Sequence, residues 1–121
     1  MEYKGSFKFE KLIIWQKAMD LAEEVYDVSK KFPKDEIYNL TSQIRRSSDS
    51  IALNIAEGSV GQTNPEQIRF IGYASRSLAE VVTCLHKSKR RMYIEEPEFE
   101  KLYSDCFNLM NMIIGFKNKI K

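Results

Sequence analysis

Proline and glycine are scarce. Three prolines and five glycines in 121 residues leave few places where regular structure has to break. No Ser/Gly-rich or Pro-rich stretch marks a linker, so residues 1–121 read as one domain, long enough to bury a single core. Long apolar runs are missing too: the longest, Leu12 to Trp15, is far short of the roughly 20 residues that span a bilayer. The N-terminal MEYKGSFKFE lacks the apolar segment and small-residue cleavage site of a secretory signal, so the expected location is the cytoplasm, with no membrane association. Both cysteines, Cys84 and Cys106, are expected to be reduced there. An excess of one charge sign is also absent: at a net +2, any claim about a charged ligand has to rest on where the charges sit.

Several chemistries lack their residues. The single histidine, His86, has Thr83 where a Glu-x-x-His metal pair would place its glutamate. The GSVGQTN stretch has no Lys-Ser/Thr after its second glycine and reads as a turn, not a phosphate loop. A helical projection turns Cys84 outward and Cys106 inward, and two thiols with one distant histidine make neither a zinc site nor a nucleophile dyad. The expectation is a protein that is not an enzyme, with no cofactor and no metal.

What is present is helical periodicity. Apolar residues recur at helical spacing in four segments, about 8–32, 35–57, 65–92 and 97–120, and nothing alternates in the strand manner. In the first, Leu12, Trp15, Ala18, Met19, Ala22 and Tyr26 form one stripe. Ile14, Leu21, Val25, Val28 and Phe32 form a second, making an arc wider than one neighbouring helix needs. Pro33 ends that segment, and Asp35 and Glu36 suit the start of the next, which points Ile37, Leu40, Ile44, Ser48, Ile51 and Ile55 inward and stops at a capping Gly58. Thr63 or Asn64 ahead of Pro65 opens the third, with Ile71, Ala74, Ser75, Leu78, Val82 and Leu85 inward. The fourth shares Phe99, Leu102, Cys106, Leu109, Met110, Ile113 and Ile120 on one face. Long helices joined by short turns predict an all-α, antiparallel up-and-down four-helix bundle.

Charge placement gives the candidate sites. On the third helix Arg69, Arg76, Lys87 and Arg91 fall in one outward sector with Tyr73 between the first two and Glu80 interrupting it, and Lys87-Ser88-Lys89-Arg90-Arg91 is a dense basic run that Glu95, Glu96, Glu98 and Glu100 at the same end of the bundle are placed to neutralise. Basic side chains with an interleaved aromatic suit phosphates and an unpaired base. A solvated face with an Arg76–Glu80 pair is the plainer alternative. Lys4, Lys8, Lys11, Lys117, Lys119 and Lys121 gather at the opposite end. On the second helix, Ser47 to Ala56 carries one charge, Asp49, and Ser42, Arg46, Leu53 and Glu57 point away from the core line. That outward leucine among small residues predicts an oligomer interface, with Arg45 or Arg46 available to pair with Glu57 or Glu80.

The same residues carry a family resemblance. Trp15-Gln16-Lys17-Ala18, Phe32-Pro33, Leu40 to Arg46, Ser50-Ile51 with Asn54 to Gly58, and Ser77-Leu78-Ala79-Glu80 resemble the four-helix-bundle proteins encoded in intervening sequences of bacterial 23S ribosomal RNA genes. The likeness runs from about Phe9 to Ile120. It implies a ring-like homopentamer and extends to the accessory variability determinant of diversity-generating retroelements, which binds nucleic acid and a reverse transcriptase. Arg76 stands where that family often has glycine, which adds a basic group. The resulting expectation is a homo-oligomeric protein that binds RNA or DNA backbone without sequence preference through Arg45, Arg46, Arg69, Tyr73, Arg76, Lys87, Lys89, Arg90 and Arg91. The alternative is a scaffold or protein-interaction subunit that binds no nucleic acid.

Overall fold

The computed structural model describes residues 5–61 and 63–120. It contains four long helices, α1 (Ile13–Ser29), α2 (Leu40–Ser59), α3 (Asn64–Arg90) and α4 (Glu96–Ile120), plus two 3-10 turns at Lys8–Lys11 and Lys34–Glu36. Each helix packs on two neighbours, α1 on α2 and α4, and α3 on α2 and α4, while the backbones of the diagonal pairs stay apart and only their side chains reach the shared core. The fold is thus the antiparallel up-and-down bundle, square in section. Its core is apolar: Ile44, Ile51 and Ile55 of α2 meet Ile71, Leu78 and Leu85 of α3 and Ile113 of α4, all essentially inaccessible. Burying each such side chain contributes about 1.5–3 kcal/mol.

Chain boundaries follow local chemistry. Thr63 caps α3, its hydroxyl accepting from the Glu66 N–H at 3.2 Å, with a proline at the first turn. At the other end Tyr93 N–H donates to Ser88 O and Met92 N–H to Lys89 O, the paired bonds of a Schellman turn, with Met92 in the left-handed conformation at φ 64°. α1 starts later than periodicity predicts. Residues 8–11 form a separate 3-10 turn because the Glu10 carboxylate accepts from the Phe7 N–H and the Gln16 amide donates to the Glu10 carbonyl. Of the two stripes predicted for α1, Ile14, Leu21, Val25 and Phe32 are buried with Ala18, whereas Met19 and Tyr26 remain exposed.

The second helix departs most. It begins at Leu40 rather than Asp35, and Ile37 is half exposed instead of lying in the core. The cause is Glu36, whose buried carboxylate accepts from the Tyr93 hydroxyl (2.7 Å), Arg91 Nη1 (2.9 Å), Asn39 Nδ2 (3.0 Å) and the Leu40 N–H (3.4 Å). Drawn into the bundle, Glu36 pins the α1–α2 connection to the α3–α4 turn. Gly58 is not the predicted left-handed cap: the helix continues to Ser59 and no described glycine has positive φ. Glycine is needed there for a close approach, since a Cβ would stand 3.0 Å from Phe70 Cβ and 3.3 Å from the Gln67 carbonyl oxygen. Ser50 and Ser77 touch through their hydroxyls at 2.9 Å, so Glu36 with Arg91, Ser50 with Ser77 and Gly58 with Phe70 mark one constant antiparallel offset along α2 and α3. Cys84, predicted outward, is buried as well, because α2 and α4 together cover a wider arc of α3 than a single core line suggests.

Candidate nucleic-acid interface

α3 carries a line of basic residues interrupted by the exposed Glu80, and its geometry separates the nine candidates into groups. Arg69 and Arg76 are exposed and flank Tyr73, itself 39% exposed. The Arg69 guanidinium lies 5.4 Å from the Phe70 ring centre, Arg76 lies 6.0 Å from that of Tyr73, and the two rings meet edge to face at 5.5 Å. The arrangement is a short aromatic–guanidinium ladder on the outer face of α3. Lys87, about three turns beyond Arg76, and Arg90 are also exposed. Among the described residues Arg69, Arg76, Lys87 and Arg90 make no ion pair. The Arg76–Glu80 pair does not form either. Glu80 turns toward α2, where it lines a polar groove with Gln43, Arg46, Ser47, Ser50 and Ser77. Arg46 therefore sits beside the α3 line, across that groove.

The remaining basic candidates are occupied. Arg45 belongs to the α1–α2 seam, its Nε donating to Ser29 Oγ at 2.7 Å and its guanidinium 4.5 Å from the Tyr26 ring centre. Lys89 pairs with Glu96 at 2.9 Å and covers the Phe99 ring. Arg91 pairs with Glu36 at 2.9 Å. The Tyr93 hydroxyl holds the Glu36 carboxyl below the usual carboxylate range; Leu40 N–H, Arg91 and Asn39 act in the same direction, against the opposing effect of burial. Glu96 is lowered chiefly by Lys89. Of the lysines expected at the far end, Lys8, Lys11, Lys117 and Lys119 make no described ion pair, and Lys4 and Lys121 lie outside the described residues.

The predicted interface residues of α2 take the predicted outward side: Leu53 is 61% exposed, Arg46 and Glu57 are exposed and Ser42 is half-buried. Periodicity alone missed what stands next to Leu53. Trp15, Met19 and Ala22 of α1 form the other wall of an apolar groove that Phe9 also lines. The signal was the over-wide arc of α1, whose Met19 and Tyr26 proved to be the exposed part.

The groups considered for catalysis are placed differently. Cys84 and Cys106 are free and buried, and burial pushes both thiols up, Cys106 to about 12. Neither is held as a thiolate. His86 stands edge-on to Phe99 and Tyr103 at 5.0 and 5.9 Å, in an aromatic cluster. No group of three or more His, Cys, Asp or Glu capable of holding a metal occurs among the described residues, and no described helix is long and apolar enough to cross a membrane.

The molecule is thus an all-helical bundle with one basic, aromatic-lined helix face and one apolar groove. A family model described as 23S rRNA-intervening sequence protein matches residues 10–115, and the chain belongs to that family. A crystal structure of a protein of unknown function from the S23 ribosomal protein family of Bacteroides thetaiotaomicron is similar at a TM-score of 0.81 and 22% identity, covering 87% of this chain and 98% of that one. At that identity the likeness speaks for the fold alone. No curated protein matches the chain.

Proposed function

We propose that this protein is a non-enzymatic, homo-oligomeric helical bundle of the cytoplasm that binds the RNA or DNA backbone without sequence preference. One observation carries the reading: Arg69, Arg76 and Lys87 stand along a single exposed line of α3, without an ion-pair partner among the described residues, with a partly exposed tyrosine between the first two. At 1.5 Å per residue the line is about 27 Å long, enough to follow several successive phosphates. Each basic group that replaces condensed counterions contributes about 0.9 to the slope of log affinity against log salt, and Tyr73 offers a face for an unpaired base. Arg46 and Arg90 flank the line and add to it.

A gel-shift series with structured RNA at rising salt tests this, and the family's description makes a 23S rRNA fragment the first RNA to try. Binding that weakens steeply with salt is the expected result. No shift at low ionic strength removes the proposal. A second reading, a scaffold whose partner is another protein, is favoured by the internal engagement of Arg45, Lys89 and Arg91. Reversing the charges of Arg69, Arg76 and Lys87 separates the two, since a scaffold keeps both its oligomer and its partner.

A further inference from the structure

Glu80 interrupts the basic sector of α3, and it faces a cation with which it does not pair. In the seam between α2 and α3 the hydroxyls of Ser50 and Ser77 meet at 2.9 Å. One turn from each, in opposite chain directions because the helices are antiparallel, Arg46 and Glu80 stand at one level on the two sides of the seam. Both are exposed, and neither has an ion-pair partner among the described residues. A space opens there because the residues below are small. Ser47, Ser50 and Ser77 keep the seam low, so the longer Gln43, Arg46 and Glu80 rise around a groove of about 290 Å³. Its floor is made of hydroxyls, and its two charged walls are a guanidinium that can only donate and a carboxylate that can only accept. Opposite charges that line one groove without meeting suit a ligand that bridges them.

We infer that this groove takes an unpaired guanine base of the bound strand, an assignment that rests on the nucleic-acid part of the proposed function. Of the four RNA bases only guanine presents two adjacent N–H donors on its Watson–Crick edge, N1–H and N2–H, which match the two carboxylate oxygens of Glu80. Its neighbouring edge offers O6 and N7, the acceptor pair that a guanidinium meets with two parallel bonds, here from Arg46. Adenine and cytosine turn a ring-nitrogen acceptor toward the carboxylate beside their single amine, and uracil sets its one N–H between two carbonyls. Arg76, one turn before Glu80 on the outer side of α3, is placed for the phosphate of the same strand, and Tyr73, two turns before, for a neighbouring base. In a duplex the partner strand already occupies the Watson–Crick edge. The preference therefore belongs to unpaired strands, and the outer line of α3 still binds backbone of any sequence.

Fluorescence anisotropy titrations of the full chain at one salt concentration test this with short uridine strands that differ at a single central position, guanosine, inosine or adenosine. The guanosine strand should bind about tenfold tighter than the adenosine strand, and the inosine strand, which keeps N1–H, O6 and N7 but lacks the N2 amine, should fall between them. Glu80→Gln should bring the ratio of guanosine to adenosine strand affinity to about twofold or less. Glu80 is exposed, so the substitution leaves the core untouched, and the inosine comparison needs no variant at all. A free guanine nucleotide carries the same two edges but few phosphates, so guanosine monophosphate should displace the guanosine strand only at concentrations about 100-fold above those at which the unlabelled strand does. Equal affinity for all the strands, a preference that survives Glu80→Gln, or guanosine monophosphate competing as well as the strand overturns the assignment of the groove and leaves backbone binding in place. No binding of any strand at low salt overturns both.

Discussion

Two stretches of α3 look alike as sequence and differ as surfaces. The run Lys87 to Arg91 is the denser in basic residues, yet at the α3–α4 turn Lys89 and Arg91 are consumed by Glu96 and Glu36. The stretch from Arg69 to Arg76 holds fewer cations, and neither guanidinium has a carboxylate partner among the described residues. What a phosphate meets is decided by which cations are left over after the protein has paired its own charges. Density along the chain does not reveal that. The turn uses its charges to hold connections together; the middle of the helix keeps its charges available.

The sharpest way to break this contrast is to reverse the free charges. Arg69→Glu, Arg76→Glu and Lys87→Glu together should weaken RNA binding on the order of 1,000-fold at low salt and lower the salt slope by about 3, whereas Arg91→Gln should change affinity less than about twofold; titration at several salt concentrations measures both. Next in size, Tyr73→Ala should cost about tenfold for single-stranded RNA and leave duplex binding unchanged, as read by competition between the two. At the turn the effect is on stability and depends on pH. The folded-state pKa of Glu36 is depressed, so its contribution is present above the ordinary value of 4.5 and is lost as pH falls through the lower folded value. The melting temperature of wild type should drop below about pH 4.5, and Glu36→Gln, less stable at neutral pH, should show a shallower drop. The smallest effect is a gain: Met92→Gly relieves a left-handed methionine and should stabilise the bundle by about 1 kcal/mol with no change in binding, measured by urea unfolding.

The parts of the fold written in local pattern were legible. Thr63 and Pro65 mark the start of α3, and the line Leu40, Ile44, Ser48, Ile51, Ile55 is buried as its spacing predicts. The parts set by distant partners were not. Asp35 and Glu36 have the local signature of a helix start, but Glu36 binds residues 55 and 57 positions away, and that pairing outweighs the signature. Gly58 has the signature of a cap, but Phe70 of the next helix decides its role. Cys84 was misplaced because a projection on one helix carries no information on how many neighbours cover it. For the candidate interface, helical spacing identified the exposed line of Arg69, Tyr73, Arg76 and Lys87, and the glutamates that follow Arg91 in the chain pointed to the pairing of Lys89 with Glu96, while the engagement of Arg45 and Arg91 depends on tertiary contacts that no spacing rule contains.

The approach of Gly58 to Phe70 also limits motion. Paired helices often slide past one another by a ridge, three or four residues at a time, as a route to switching. Here a slide of that size in one direction would bring Asn54 or Ile55 toward Phe70 in place of a residue without a Cβ, in the other it would run past the end of α2 at Ser59, and either would part Ser50 from Ser77. The pair has a single seat, like a detent in a sliding bolt. Any conformational response to a ligand on α3 would have to move α2 and α3 as one body, and α1 and α4 are the elements left to shift against it.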